Sequence, residues 1–497
     1  MTGPRRAASL LVLVALAVGV LLLFQATGEP SLSWSDEIVY AVNGRRTADG
    51  LGLTSGFYDH RVVLEQELPT GDVHLPGHAL MLAAAFRARG PSDATARLPS
   101  QLGFLAAALA VFAAGLRGCG APAAWTATLL FMAWPAMGSY AGAAMGELTL
   151  VALVALWLLC WEAALVSEAA GWVATLGLLT GAALLHRETS LALIPPALLA
   201  LMRGTPSTRA RRLGLFMIAC GPLAVLPLAV SAERARHPHF LRAAEGPLGT
   251  GGLSGQLLGM AGRNLEALFA PGLDVARLAL ALTLGAALLL LATARGRAGL
   301  ARRTTRLAAY LVAAHALALL PLYPLRGWAA VRVLLVAAPP LCLALGCRLA
   351  AIERPLLRRT FAGFLLASTA SLTLAAHRQL TDDRREARAE GEAQAAALDA
   401  AIPAGRPLPA LVAPGAFLYG WLRYPTLVIW SLPESPRELA RVVERAGADA
   451  VLLPAALARA ERWTARLESL GFTARPLRGA SGASIFLKAP RAEGVHP

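Results

Sequence analysis

Long apolar runs recur along the 497-residue chain, parted by short polar stretches. A run of about 15 to 22 apolar residues is long enough to cross the hydrocarbon core of a bilayer as a helix. The pattern predicts eleven such spans, at roughly 7–24, 97–116, 122–137, 147–163, 171–186, 189–202, 213–231, 275–294, 307–322, 329–347 and 360–376. The fifth and sixth are short and meet at His186, Arg187 and Glu188. The first follows Arg5 and Arg6 and imitates a signal peptide, but no clean Ala-x-Ala-like cleavage site follows, so it reads as a retained span.

Beyond residue 376 the pattern changes. Residues 381–402 are charged and helical, and short β-like runs at 408–413, 426–432, 450–453 and 483–487 alternate with helical patterns at 436–445 and 455–470. The expected division is a polytopic α-helical membrane domain, 1–376, followed by a small α/β domain, 377–497. Two long segments lie on the side away from the N-terminus. The first, about 25–96, contains an apolar stretch from His78 to Arg89 that is too short to span and is expected to lie along the membrane surface. The second, 232–274, has a Gly-rich middle and an interfacial helical pattern at 257–269.

Composition supports this reading. Hydrophobic residues make up 56% of the chain and mean hydropathy is +0.55, more than a soluble core of this size needs. An aromatic fraction of only 6% and a predominance of alanine and leucine favour helical spans over a transmembrane barrel, because lipid leaves backbone groups no partner unless they bond within a helix. The net charge of +15 would suggest nucleic acid in a soluble protein. Here the arginines cluster between apolar runs: four in 203–212, five in 295–306 and four in 348–359. They are an orientation signal that places the N-terminus and these connections in the cytoplasm. The first outer loop has eight carboxylates over 28–77 and only Arg45, Arg46 and Arg61 as basic residues, so parity and charge agree. With eleven spans the α/β domain lies outside the cytoplasm. Glu162 and Glu168, at an inner turn, run against the pattern. The five cysteines show no paired spacing in any loop, so neither disulfides nor a zinc cluster are expected.

Three short motifs carry the chemistry: Trp34-Ser35-Asp36-Glu37 after the first span, His74-Leu75-Pro76-Gly77-His78 before the short apolar stretch, and Ala96-Arg97-Leu98-Pro99-Ser100 opening the second span. Alone, the acidic pair reads equally as a solvated turn. The succession resembles the GT-C glycosyltransferases, and within them the protein O-mannosyltransferase and lipid A aminoarabinose transferase group, glycosyltransferase family 39-like. Arg332 and Pro339 are similar, more weakly, to an Arg-Tyr-x-x-Pro-x-x-Pro stretch of a late span in that group. The motif resemblance covers about the first 200 residues, and the remainder resembles the group mostly in topology.

The resemblance implies a GT-C fold and inverting transfer of a sugar from a polyprenyl phosphate to a protein, lipid or glycan acceptor on the outer face. That face is the periplasmic or extracellular side of a bacterial inner membrane. The leaving phosphate is a weak base, so one carboxylate base suffices, with positive charge to hold the departing group. Asp36 is implied as that base, with Glu37 supporting the loop or binding substrate. Arg187, Arg326 and Arg332 stand near the outer ends of spans, where a charge beside hydrocarbon is costly. Each can make a forked contact with phosphate or snorkel to the interface. His74 and Arg61 join them as substrate-binding candidates, His74 equally as a packing residue. Glu147, opening the fourth span, binds substrate or a divalent cation through oxygen, or is a carboxylate favoured by its helix N-terminus. Arg97 is expected to tie the loop to the bundle. Tyr419, Trp421, Arg423 and Tyr424 read as packing and docking residues, or as acceptor contacts.

No Gly-rich phosphate loop, Ser-His-Asp arrangement or nucleotide fingerprint appears, which favours a lipid-linked donor over a nucleotide sugar; nucleic acid is not expected as a partner, because the basic excess is mainly an orientation signal. Two other classes fit a polytopic chain. A transporter or flippase of lipid-linked saccharides predicts broken helices in matching halves and charges near the midplane. A non-catalytic assembly protein predicts an outer domain that binds a partner.

Overall fold

The computed structural model describes residues 3–28, 31–32, 35–65, 75–167, 169–236, 303, 306–311, 313–314, 335–406, 408–423, 426–477 and 483–488. The patterns expected at 257–269 and 275–294 lie outside these residues, as does most of 307–322. Five described helices are long and apolar enough to cross a membrane: Ala8–Thr27, Asp93–Gly118, Glu147–Val166, Pro206–Pro227 and Pro355–Ala401. Four shorter apolar helices accompany them, Ala121–Met132, Ala170–His186, Thr189–Leu201 and Leu335–Ala350. The chain is a multi-pass helical membrane protein.

Two compact units are present. One comprises Met1–Pro30, Leu75–His78 and Arg97–Thr381, and the other Ser31–His74, Ala79–Ala96 and Asp382–Pro497.

In the first unit small residues set the helix spacing. Gly177 and Gly181, one turn apart, face Phe216 and Cys220 so closely that an added Cβ would stand 2.6 Å and 2.8 Å from their carbonyl oxygens. Helices in lipid associate by such close packing rather than by excluding water. Gly346 meets the helix at Ala123 in the same way. The expected third span, 122–137, ends at Met132, because Pro135 cannot continue the hydrogen-bond ladder. The expected sixth begins as a 3-10 turn over Glu188–Leu193 and becomes α-helical at Ile194–Leu201, with Pro195 and Pro196 in its opening turn.

One expectation is corrected in this unit and one anomaly is accounted for. Cys119 and Cys347 are joined in a disulfide with Cα atoms 5.7 Å apart, which no loop spacing could signal because 228 residues separate them. Glu162, anomalous at an inner turn, is paired with Arg303 at 3.4 Å, so its charge is balanced. His377 is buried between Thr27 and Ser139, with ring nitrogens 3.0 Å and 3.2 Å from their hydroxyls.

The second unit is built on a six-stranded sheet of order β1-β3-β2-β4-β6-β5. The strands are β1 (Phe57–Tyr58), β2 (Ala410–Val412), β3 (Leu427–Ile429), β4 (Ala450–Leu453), β5 (Phe472–Pro476) and β6 (Ser484–Lys488). The first four run parallel, and β6 and β5 close the other edge antiparallel. The four expected strands are present. The sequence pattern did not predict β5, nor the edge strand β1, which comes from the first loop.

Helix Pro436–Ala446 has the expected signals. Ser435 accepts from the Glu438 amide, Pro436 opens the first turn, and Gly447 at φ 60 closes the last. A cap of this kind contributes about 1 kcal/mol. Leu439, Val442 and Val443 of this helix pack with Trp463 and Phe486 over the sheet.

Candidate functional sites

In the second unit the acidic pair opens helix Ser35–Ala48, so both carboxylates sit in the first turn, where the helix dipole favours negative charge. Their environments differ. Glu37 is 0% exposed and receives Arg384 through both carboxylate oxygens, at 2.9 Å and 3.2 Å, while Asp36 is half-buried. The chain just before the pair is tied down as well. Arg388, one turn after Arg384, donates to the Leu32 carbonyl at 3.1 Å, and the Leu32 amide donates to Asp93 at 3.3 Å. Asp93 also accepts from the Trp421 indole at 3.1 Å. Trp421 is thus a packing residue of this unit, and Tyr419 is buried, its phenol pushed up to about 12 by that burial. Arg423 pairs with Asp399 at 2.8 Å. Tyr424 lies outside the described residues.

Arg61 follows β1 on the short helix His60–Glu65 with an exposed side chain. It does not join the Glu37–Arg384 pair. Beside it, the Ser431 hydroxyl accepts from the His60 amide, lies 2.8 Å from His60 Nδ1, and donates to Asp59 at 2.9 Å. Burial holds the His60 imidazole below its ordinary range, against the opposing pull of Asp59.

In the first unit Glu147 opens helix Glu147–Val166, 2% exposed, and accepts from Arg187 at 2.5 Å. Several neighbours fix its position. Ser100 donates to the Met145 carbonyl at 2.7 Å, and Gly103 packs so closely on Leu148 that a Cβ would stand 2.6 Å from its oxygen. His78, 2% exposed, packs on Gly146. Gly77 lies against His186, whose Nδ1 is 3.0 Å from the Ala182 carbonyl and whose buried Nε2 has no partner among the described residues. Sequence reading picked Glu147 and Arg187 separately and had no means of pairing them. It passed over His186, although a histidine between an apolar run and an arginine is a signal of a polar helix end.

Among the described residues no three His, Cys, Asp or Glu side chains group closely enough to hold a metal, and Glu147 directs Oε1 at a guanidinium. Arg97 is buried. His74, Arg326 and Arg332 lie outside the described residues.

A family model described as dolichyl-phosphate-mannose-protein mannosyltransferase matches residues 73–231. A comparison with curated proteins found no match. Solved structures are similar over nearly the whole chain. ArnT from Cupriavidus metallidurans bound to undecaprenyl phosphate is 15% identical with a TM-score of 0.61, covering 98% of this chain and 99% of that one. The apo state of the same enzyme gives 14% and 0.59, covering 98% and 100%. The archaeal oligosaccharyltransferase AglB from Archaeoglobus fulgidus gives 10% and 0.50, covering 98% and 75%. Sequence over 73–231 and fold over nearly the full length agree that the chain has the GT-C membrane fold of the protein mannosyltransferase and ArnT type.

Proposed function

We propose that the chain is a membrane glycosyltransferase that moves a sugar, with inversion, from a polyprenyl-phosphate donor to a hydroxyl of a protein, lipid or glycan acceptor, with Asp36 as general base. The observation that carries this reading is the likeness over 98% of the chain to an ArnT structure that holds undecaprenyl phosphate. The placement of the acidic pair supports it. Glu37 is buried against Arg384 and suits a supporting part, whereas Asp36 retains access to solvent.

In the reaction Asp36 takes the proton of the acceptor hydroxyl as its oxygen bonds to the anomeric carbon. The bond from that carbon to the phosphate oxygen breaks, and the polyprenyl phosphate leaves with the electron pair. It leaves readily as a stabilised anion, so no acid is required, and guanidinium groups lower the cost of the developing charge. Arg187, Arg326 and Arg332 are the side chains proposed for that task. The full reading has eleven spans, the N-terminus in the cytoplasm and the α/β domain on the periplasmic or extracellular side of a bacterial membrane.

The test uses membranes carrying the full chain, supplied with a panel of radiolabelled undecaprenyl-phosphate-linked sugars. With the donor that the wild type uses, Asp36→Asn is expected to lower label transfer by about 100-fold or more, the usual contribution of a general base. Transfer at the wild-type rate by Asp36→Asn overturns the assignment.

A further inference from the structure

We infer that Arg384 is a positioning residue for the transfer reaction, fixing the first turn of Ser35–Ala48 through Glu37 so that the adjacent Asp36 carboxylate is presented in one orientation. This rests on the reading of Asp36 as base. Three observations carry it. Both partners are deeply buried, Arg384 5% and Glu37 0% exposed. A single nitrogen of Arg384, Nη2, meets both oxygens of the carboxylate, which restrains the orientation of Glu37 as well as its distance. The same helix contacts the chain again just upstream, where Arg388 holds the Leu32 carbonyl while Asp93 holds the Leu32 amide.

Asp36 therefore sits between two fixed points, Leu32 before it and Glu37 after it. A half-buried carboxylate on a loose turn would sample many orientations, and a reaction that needs near-attack geometry is sensitive to a displacement of about 1 Å. A buried ion pair is a poor source of net stability compared with apolar residues of similar size. Its value here lies in geometry.

The experiment is kinetic, in the same membranes and with the same radiolabelled donor. Glu37→Met/Arg384→Met removes both charges together and avoids stranding one of them. It is expected to lower kcat on the order of 100-fold with donor KM unchanged. Arg384→Lys keeps the charge but, on a shorter side chain, does not carry a nitrogen to where Nη2 meets both carboxylate oxygens, and is expected to lower kcat by about 3- to 10-fold, again without a change in KM. Wild-type kcat in either variant overturns the inference, as does a loss confined to KM. If the double variant does not accumulate, Arg384→Lys decides alone. Asp36→Asn run alongside separates the two readings. Its full activity defeats the assigned base itself, whereas its inactivity beside a fully active double variant defeats only the clamp.

Discussion

The guanidinium of Arg187, at the end of helix Ala170–His186, donates to Glu147 at the start of helix Glu147–Val166, and the carboxylate it meets is almost wholly buried. Removing one partner leaves the other charge buried, which costs about 3–5 kcal/mol. Arg187→Ala is therefore expected to lower the thermal midpoint of the detergent-solubilised chain sharply. Glu147→Leu/Arg187→Met should recover most of the loss, because no charge is left unbalanced. Thermal unfolding of the two variants beside the wild type checks this. A double variant that melts lower than Arg187→Ala would mean that the two side chains do not act as a pair.

Gly77 is a second point where the first unit tolerates no bulk. A Cβ there would lie 2.5 Å from His186 Nδ1 and 2.7 Å from the Leu185 carbonyl, closer than real Cβ atoms approach. Gly77→Ala is expected to destabilise the chain by about 1–3 kcal/mol, the usual range for overpacking. Gly19→Ala and Gly214→Ala, inside helices and meeting nothing within 4 Å, serve as controls and should melt at or slightly above the wild type. Thermal midpoints of the three variants decide the matter.

His60 gives the second unit a pH dependence whose sign follows from its environment. Burial, the largest influence, holds the imidazole below its ordinary value, so the folded chain takes up this proton less readily than the unfolded chain does. Between the ordinary value near 6.5 and the lower folded value, the unfolded state binds more protons and stability falls as pH falls. Above that window the contribution is fully present. His60→Gln is expected to flatten this part of the curve, read as the difference in thermal midpoint between variant and wild type from about pH 7.5 to about pH 5.5. Parallel curves for the two proteins would contradict the assignment.

What the sequence made legible follows the range of the interactions involved. Helix Glu147–Val166 matches the predicted 147–163 because an uninterrupted apolar run and an opening carboxylate are local signals. The last span and the charged helix after it were expected as separate elements, yet they form one helix, Pro355–Ala401. Polarity changes near His377 and Arg378, but no proline or glycine breaks the chain there, and polarity alone does not end a helix. Strand β1 was not legible, because two residues in a loop become a strand only by pairing with Val428 and Ile429. The partner of Glu37 escaped for the same reason. Arg384 lies 347 positions away, among other arginines of a charged helix. Candidate residues could be picked from local motifs, but their pairings could not.

The bond between Cys119 and Cys347 is a further long-range tie, and it makes the most direct prediction about stability. It joins the residue after helix Asp93–Gly118 to helix Ala338–Ala350. A cross-link across 228 residues removes much of the freedom of the unfolded chain, and native disulfides typically contribute about 2–4 kcal/mol. The close approach of Gly346 to Ala123 packs the same helix against Ala121–Met132, so part of this contact survives reduction. Cys119→Ser is therefore expected to lower the thermal midpoint without abolishing the fold, and reductant should shift the wild type by the same amount while leaving the variant unmoved. Cys160, Cys220 and Cys342 are buried free thiols, so Cys160→Ser is a control that should keep its response to reductant. If reductant shifts wild type and Cys119→Ser equally, the stabilising bond lies elsewhere.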